Sequence, residues 1–441
     1  MRFPQRINTL LQMKIVINII INKFRGASKS FHSIFGVIDV TSTTGSDAWW
    51  ESKQGPEWVQ EADEYRVTFW WRDPAGTETT SPIQRVWLYI TGVTDHHQNA
   101  RPQSLERIAG TDVWQREIRL EAGWRGSYCL MPSQNHDDFP PAVFAAIPPD
   151  RVALREGWRK LLAQAIADPL NPQSWRGGRG HPVSALEMPD APPQPGWQAS
   201  DTPFNEPQLL HWRSQRLNNT RRVWIYTTGE ENAAERPLAV LLDGQFWAQS
   251  MPVWPALAAL TNEGRLPAAV YVLIDVIDNA HRTRELPCNA DFWLAVQEEL
   301  LPQVQALSPF SDRSEHTLVA GQSFGGLSSL YAALHWPQRF GCVLSQSGSY
   351  WWPHRGAEQD GIIIQQLQRG ELHPSGLRIV LEAGVREPLI FRANQALFSL
   401  LQRIQQPVFW RQVDGGHDAL CWRGGLTSGL ITLWQPLTCT R

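Results

Sequence analysis

The chain has 441 residues, of which 42% are apolar, so it is long enough for two domains with packed cores. Its formal net charge of -3 gives no overall attraction to nucleic acid or to a membrane surface, and we predict neither partner. The five cysteines are scattered and lack metal-ligand spacing, which favours reduced thiols over a disulfide framework or a zinc site.

Residues 1–45 differ in character from the rest of the chain. An apolar run at 15–21 is too short to span a bilayer. Arg2 and Arg6 precede this run as in a signal peptide, but the sequence Asn-Lys-Phe-Arg at 22–25 follows it where a small-residue cleavage site is required. We therefore predict that residues 1–45 are a disordered extension or a non-native start, and that the protein is cytoplasmic.

Residues 46–190 carry the pattern of an all-β domain. Strands are predicted at 66–73 and 85–90, with a turn at the intervening Asp-Pro-Ala-Gly sequence. The alternating stretch 112–120 predicts a further strand, with 126–131 as its candidate partner. Short strands at this spacing predict a β-sandwich, although the later part, from residue 150, is less regular.

Residues 191–207 are predicted to link this domain to a second one at 208–441. Six prolines lie between Met188 and Pro207, and beyond them apolar strands alternate with helical stretches. This alternation predicts an α/β domain with a mostly parallel sheet that is covered on both faces. The predicted strands are 222–227, 238–242, 269–274, 316–320, 342–345, 377–381 and 408–413, and a helix is predicted at 291–301.

The second domain contains a G-x-S-x-G motif at 321–325. An apolar β-branched strand precedes it and a helical pattern follows it, which is the context of a nucleophile on a sharp strand–helix turn. Gly321 and Gly325 would remove side chains that clash in such a turn. We therefore predict that Ser323 is a nucleophile in an α/β-hydrolase fold; the alternative is a serine in an ordinary glycine-rich turn.

A serine nucleophile needs a base, and the base needs an acid that orients it. His417 follows the last strand after two glycines, which is the position of the base in this fold. Glu387 lies on the loop after the preceding strand and is the predicted acid. Glu382 at the strand end and the neighbours of His417, Asp414 and Asp418, remain alternatives.

An oxyanion hole requires two N–H groups that point at one position. The predicted donors are the backbone N–H of Phe324, directly after the nucleophile, and that of Gln245 in the turn after strand 238–242. A turn without a catalytic role is the alternative for the second donor.

Several motifs together resemble one family. Residues 320–326, 382–387 and 414–418 resemble the esterase D branch of the α/β-hydrolases, and residues 286–293, 345–353 and the tryptophan-rich first domain resemble its enterochelin (enterobactin) esterases. The similarity runs from about residue 46 to the end. It implies a cytoplasmic enzyme that hydrolyses the serine trilactone of ferric enterobactin to dihydroxybenzoylserine units, with a first domain that helps to shape the substrate site.

The resemblance also implies residue roles. Ser323 matches the nucleophile and His417 the base, whereas Glu387 falls where many relatives carry aspartate. An anionic iron–catecholate substrate could be bound through charge and through stacking on catechol rings. Candidates for this binding are Arg282, Arg284, Arg386, Trp351 and Trp352, with surface ion pairs and core packing as the alternatives.

No cofactor is predicted, because iron would arrive as part of the substrate. Asp95, His96 and His97 have no third ligand at a recognisable spacing, so we predict a solvated loop and not a metal site. Two other functions remain open: a carboxylesterase for feruloyl or acetyl esters, and a siderophore-binding protein without catalysis. The pattern predicts no oligomeric state.

Overall fold

The computed structural model describes residues 43–94, 100–139, 141–145, 150–177, 180–198, 202–229, 235–354 and 359–438. The chain divides into two compact units, Met1–Glu51 and Ser52–Arg441. In the first unit the described part contains the short helix α1 (Asp47–Glu51). The extension predicted at 1–45 lies outside the described residues up to residue 42, as does the Asp95-His96-His97 loop.

The first half of the second unit forms an antiparallel sheet. Its eight described strands lie in the order β1-β2-β5-β4-β3-β6-β8-β7. Alternate residues of its strands enter two apolar clusters: Phe69, Leu88 and Leu130 belong to one, whereas Trp87, Tyr89 and Cys129 belong to the other. The strands are β1 (Glu57–Glu61), β2 (Glu64–Arg72), β3 (Arg85–Ile90), β4 (Gln103–Arg107), β5 (Val113–Glu121), β6 (Arg125–Ser133), β7 (Ser174–Arg176) and β8 (Pro182–Glu187).

The strands predicted at 66–73 and 85–90 are confirmed as β2 and β3, but the predicted partner of 112–120 is wrong. β5 pairs with β2 and β4, whereas β6 pairs with β3 and β8. The reason is burial: β5 has exposed positions along its length, whereas eight of the nine residues of β6 are buried in the middle of the sheet. The less regular part also contains an unpredicted helix, α2 (Arg151–Leu162), which Asp150 caps.

The second half of the same unit is built on a mixed sheet. Its eight described strands lie in the order β16-β15-β14-β13-β11-β12-β10-β9. β11 to β16 run parallel to one another, and β10 is antiparallel to both of its neighbours. The strands are β9 (Gln208–Ser214), β10 (Asn219–Thr227), β11 (Leu238–Leu241), β12 (Val270–Ile274), β13 (Thr317–Gln322), β14 (Cys342–Gln346), β15 (Arg378–Gly384) and β16 (Val408–Val413). Every strand predicted here is present, and β9 is additional.

Alternate residues of these strands enter two cores on opposite faces of the sheet. Val319 belongs to one core, and its neighbours Leu318 and Ala320 belong to the other. Helices cover both faces: α3 (Trp254–Asn262), α4 (Asn279–Glu285), α5 (Ala290–Ala295), α6 (Leu301–Leu307), α7 (Phe324–His335), α8 (Ile362–Gln368), α9 (Pro388–Arg403) and α10 (Ala419–Thr438). Within the described ranges, none of the helices combines the length and apolarity that crossing a membrane would require.

The proline-rich segment 191–207 contacts the last helix. The side-chain amide of Gln194 donates a 2.5 Å hydrogen bond to the carbonyl of Leu420, and the indole of Trp197 donates a 2.8 Å bond to the carbonyl of Arg423. Gln194 is buried. The described part of this segment is therefore packed against α10 and is not a free tether.

Candidate active site

Ser323 lies between the end of β13 and the first residue of α7, with a backbone φ of 59°. A non-glycine residue at positive φ is strained, so the surrounding structure must hold it there. The N–H of Ser323 donates to the carbonyl of Gln346 at 3.0 Å, and the N–H of Ser349 donates to the carbonyl of Ser323 at 3.1 Å. The end of β14 and the loop after it thus fix the turn that presents the Ser323 hydroxyl.

The glycines of the motif allow strand, turn and helix to approach closely. A Cβ on Gly321 would lie 2.5 Å from the carbonyl carbon of Gly325, and one on Gly326 would lie 2.7 Å from Oγ of Ser345. A Cβ on Gly325 would have its nearest contact at 3.4 Å, with Oδ2 of Asp243. Gly321 and Gly326 are therefore the residues that the packing requires most, whereas the clash expected at Gly325 is mild.

His417 and Glu387 are joined by a short hydrogen bond. Nδ1 of His417 lies 2.6 Å from Oε2 of Glu387, whose side chain is fully buried. Oε1 of Glu387 accepts bonds from the Ser347 hydroxyl at 2.7 Å and the Gly384 N–H at 3.1 Å. With both oxygens engaged, the carboxylate can hold the imidazole with Nδ1 protonated and Nε2 as the acceptor.

Trp422 supports this pair from α10. Its indole N–H donates to Oγ of Ser347 at 2.9 Å, and its ring meets the His417 ring edge to face at 4.6 Å. Because the Ser347 hydroxyl donates to Glu387, the tryptophan orients the acid through the serine and confines the imidazole directly. Neither Ser347 nor Trp422 was predicted as part of the site.

The alternative acids all have other partners. Arg386 donates two bonds to Asp414, and Ser127 donates two to Asp418. Arg411 donates to buried Glu382 at 2.7 Å. Glu387 is thus the candidate acid that is hydrogen-bonded to His417.

Glu382 accepts the last bond of a hydrogen-bonded chain that passes through Gln322, the residue before Ser323. The indole of Trp247 donates to Gln322, the amide of Gln322 donates to Gln346 at 2.8 Å, and the amide of Gln346 donates to Glu382 at 2.7 Å. Burial raises the pKa of Glu382 to about 7, against the attraction of Arg411. This chain ties together the carboxyl ends of β13, β14 and β15.

Ser323 and His417 line the same cavity, which has a volume of about 550 Å³. The mixed sheet supplies one side, which includes Gln245, Arg282 and Trp422. The antiparallel sheet supplies the other side through residues that the sequence did not single out: Tyr89, Thr91, Ser127, Trp175, His181 and Val183. No sequence signal marked these residues, because they lie on strands and loops without a recognisable motif.

The two predicted oxyanion donors lie at turns on this edge of the mixed sheet. Phe324 is the first residue of α7, where a backbone N–H has no partner within the helix and the helix dipole is positive. Gln245 follows a turn in which Asp243 has a φ of 53° and a Cβ on Gly244 would lie 2.4 Å from the backbone of β12. The Gln245 side chain accepts a bond from the Val276 N–H at 3.2 Å, which anchors the turn.

The structure separates the five predicted substrate-binding residues. Arg282 lines the cavity, where it donates two bonds to Asp243 at 2.6 and 2.8 Å. Burial opposes its charge, but the attraction of Asp243 and its hydrogen bonds together outweigh burial and raise the pKa of Arg282. The other four residues are absent from the described cavity lining: Arg284 pairs with Glu285, Arg386 with Asp414, Trp351 packs on Phe324, and Trp352 packs on the core.

Family models match most of the chain. Residues 66–197 match the family described as "Enterochelin esterase, N-terminal", and residues 214–433 match an esterase family. The iron(III) enterobactin esterase of Escherichia coli O6:H1 (strain CFT073) is 68% identical over 394 residues, which cover 89% of this chain and 97% of that protein.

Solved structures show the same relationship. The ferric enterobactin esterase of Salmonella typhimurium has a TM-score of 0.85 and 68% identity, over 89% of this chain and 100% of that one. The enterobactin esterase of Shigella flexneri, crystallised in the presence of enterobactin, has a TM-score of 0.82 and 66% identity, over 90% of this chain and 100% of that one.

Proposed function

Because the chain belongs to the iron(III) enterobactin esterase family, we propose that it hydrolyses the trilactone ester bonds of ferric enterobactin to dihydroxybenzoylserine units. It is an ester hydrolase. The observation that carries the mechanism is the 2.6 Å bond between His417 and buried Glu387, in a cavity that Ser323 also lines. This arrangement supports a triad of Ser323, His417 and Glu387.

The reaction begins with attack of the Ser323 oxygen on a lactone carbonyl carbon. Nε2 of His417 takes the hydroxyl proton, and Glu387 stabilises the imidazolium that forms. The tetrahedral oxyanion accepts hydrogen bonds from the N–H groups of Phe324 and Gln245; one such donor typically contributes about 3 kcal/mol. Collapse of the intermediate expels the serine alkoxide of the substrate, which takes the proton from His417.

Water completes the cycle. His417 removes a proton from water, the hydroxide attacks the acyl-enzyme carbonyl, and Ser323 leaves with the proton returned by the imidazole. Each turn of the cycle adds one water molecule across one ester bond. Iron takes part only as a component of the substrate, so the chemistry needs no cofactor bound by the protein.

We also propose the architecture that this reaction uses. A β-sandwich at 46–190, which also carries the helix α2, precedes a proline-rich linker at 191–207 and an α/β-hydrolase domain at 208–441. The parallel strands β11 to β16 and the nucleophile turn between β13 and α7 support the hydrolase fold. We propose that the protein acts in the cytoplasm, as the resemblance to this family implies.

Hydrolysis is tested directly with purified protein and ferric or iron-free enterobactin, by chromatography of dihydroxybenzoylserine. We expect product with the wild type and none above background with Ser323→Ala. Turnover of feruloyl esters without product from the trilactone would favour the general carboxylesterase. Tight binding of enterobactin without turnover would favour a binding protein.

A further inference from the structure

The loop that carries His417 is held by the antiparallel sheet. The N–H of Arg125, at the start of β6, donates to the carbonyl of Asp414 at 3.2 Å, and the thiol of Cys421 donates to the carbonyl of Arg125 at 3.1 Å. These bonds lie on either side of His417 in the chain. The segment from Asp414 to Cys421 is therefore hydrogen-bonded at both of its ends to Arg125, the first residue of β6.

Asp418, the residue directly after His417, makes the most specific of these contacts. Its Oδ2 accepts bonds from the N–H of Ser127 at 2.5 Å and from the hydroxyl of Ser127 at 2.6 Å. Its Oδ1 accepts a bond from the N–H of Leu420 at 2.9 Å, which caps the start of α10. Asp418 is buried, and hydrogen bonds from a main-chain N–H and a hydroxyl to a buried carboxylate are strong.

Two glycines let the sheet come this close. Gly92, in the turn after β3, has a φ of 76°, and a Cβ on it would lie 2.9 Å from Cα of Gly416. A Cβ on Gly415 would lie 3.0 Å from the carbonyl oxygen of Arg125 and closer still to the sulfur of Cys421. The glycines before His417 are thus explained by backbone contact with the antiparallel sheet, and not by a turn that needs positive φ.

We propose that Asp418, held by Ser127, is a positioning residue for His417, and that the antiparallel sheet serves the reaction by fixing the backbone of the base. Glu387 orients the imidazole through Nδ1 and Trp422 packs against its ring, but both contacts act on the side chain and not on the backbone that carries it. Asp418, the next residue in the chain, anchors that backbone through Ser127. This inference rests on the proposed role of His417 as the base.

A positioning role predicts a particular kinetic pattern. If His417 shifts, proton transfer from Ser323 slows for every electrophile, large or small, because misplacement of a catalytic group by about 1 Å can cost about 100-fold. If Asp418 or Ser127 contacted the siderophore instead, only the large substrate would be affected, through KM. A fluorophosphonate, which reacts with an activated serine and carries no catechol group, separates these possibilities.

The experiment compares wild type, Asp418→Asn, Ser127→Ala and the double variant. We expect kcat for enterobactin and the rate of phosphonylation at Ser323 to fall by the same factor, about tenfold to 100-fold for Asp418→Asn and less for Ser127→Ala. KM should stay within about twofold. The double variant should be no worse than the more severe single one, because both changes break one contact.

Ser133→Ala is the matched control. Ser133 lies on the same strand as Ser127, is equally buried, and its hydroxyl also donates to an aspartate, Asp138, at 2.9 Å. It lies outside the cavity lining, so its loss should leave both rates unchanged. Ser127→Ala keeps the main-chain bond to Asp418 and remains informative if Asp418→Asn does not fold; circular dichroism checks this.

The outcomes separate this inference from the proposed function. Unchanged rates in folded Asp418 and Ser127 variants, or a raised KM with normal phosphonylation, would overturn the positioning role while the wild type still hydrolyses enterobactin. A wild type that neither hydrolyses enterobactin nor reacts at Ser323 would overturn the proposed function, and the positioning role with it.

Discussion

The two sheets of the second unit contribute to the cavity in different ways. The mixed sheet presents Ser323 and Glu387 after the carboxyl ends of the parallel strands β13 and β15, and both are held by residues at or just after the end of β14, the strand between them. The antiparallel sheet supplies cavity walls such as Tyr89 and Trp175, and it touches the loop of His417. The positions of Ser323 and Glu387 thus depend on the order of neighbouring strands within one sheet. The cavity walls depend instead on contacts between distant parts of the chain.

The largest expected effect is a fall in kcat, and it tests Glu387, the proposed acid, which the mixed sheet carries. Glu387→Gln keeps the shape of the side chain but removes the charge that stabilises the imidazolium, so kcat for enterobactin should fall by about 10⁴-fold. Thermal unfolding should show a folded protein.

The matched change is Asp414→Asn, three residues before His417, where the carboxylate pairs with Arg386. It should alter kcat by less than about tenfold. Survival of activity in Glu387→Gln together with a loss in Asp414→Asn would reverse the assignment of the acid.

The next effect is on the free energy of unfolding. It compares a closely packed glycine of the mixed sheet with an open glycine of the antiparallel sheet. Gly321→Ala would place a Cβ 2.5 Å from backbone atoms of α7, so we expect a loss of about 3 kcal/mol in unfolding free energy. Gly123→Ala, between β5 and β6, meets nothing within 4 Å and should be tolerated. Urea unfolding of both variants measures the difference, and equal stabilities would contradict this account of the nucleophile turn.

The stability of the protein is expected to depend on pH through Glu382, which lies on β15 of the mixed sheet. Burial raises the pKa of Glu382 to about 7, whereas its unfolded value is 4.5. The folded state therefore binds more protons between these values, so this group's contribution to stability is complete below pH 4.5 and is lost as pH rises towards 7. The change in unfolding free energy that this group causes over the whole range is on the order of 3 kcal/mol.

Glu382→Gln should flatten the fall in melting temperature between pH 5 and 7, relative to wild type. Glu106→Gln, a change of an exposed glutamate on the antiparallel sheet, should leave the slope unchanged. Parallel slopes for wild type and Glu382→Gln would show that Glu382 is already ionised in the folded protein at pH 5.

The smallest expected effect tests whether Arg282 holds Asp243 in place or binds the substrate. Because Arg282 holds Asp243 with two hydrogen bonds, Arg282→Gln and Asp243→Asn should both reduce kcat, with a coupling of about 1 to 2 kcal/mol in a double-mutant cycle. If Arg282 instead binds the anionic substrate, Arg282→Gln would raise KM with little change in kcat, and Asp243→Asn would lower KM only while Arg282 is present.

The contrast between the two sheets also explains which parts of the fold and of the site could be predicted from the sequence. The strands around Ser323, Glu387 and His417 were predictable because apolar strands, glycine-rich turns and chain order are local signals. The side chains that hold them were not: Ser347 reaches Glu387 from a loop without a motif, and Ser127 meets Asp418 across 291 residues of sequence. The pairing of β6 was predicted wrongly for the same reason, since neighbours in sequence are not always neighbours in a sheet.

Charged and aromatic residues were the least predictable part of the site. Arg284 and Arg386 are basic and close to the motifs in sequence, yet both form ion pairs away from the described cavity lining. Tyr89 and Trp175 lie far from any motif and line the cavity. Residue type and sequence proximity say little about which side of a strand or helix a side chain occupies.

The hydrogen-bonded chain from Trp247 to Glu382 has a direction. An indole and a guanidinium can only donate, so the donors Trp247 and Arg411 stand at its two ends and the carboxylate of Glu382 is the sink towards which every bond points. Each glutamine between them has one orientation that satisfies both neighbours. Trp247→Phe would remove the group that sets the first amide, and Gln322, the residue before Ser323, would then be able to flip and set its own side-chain oxygen against that of Gln346, two acceptors without a hydrogen between them.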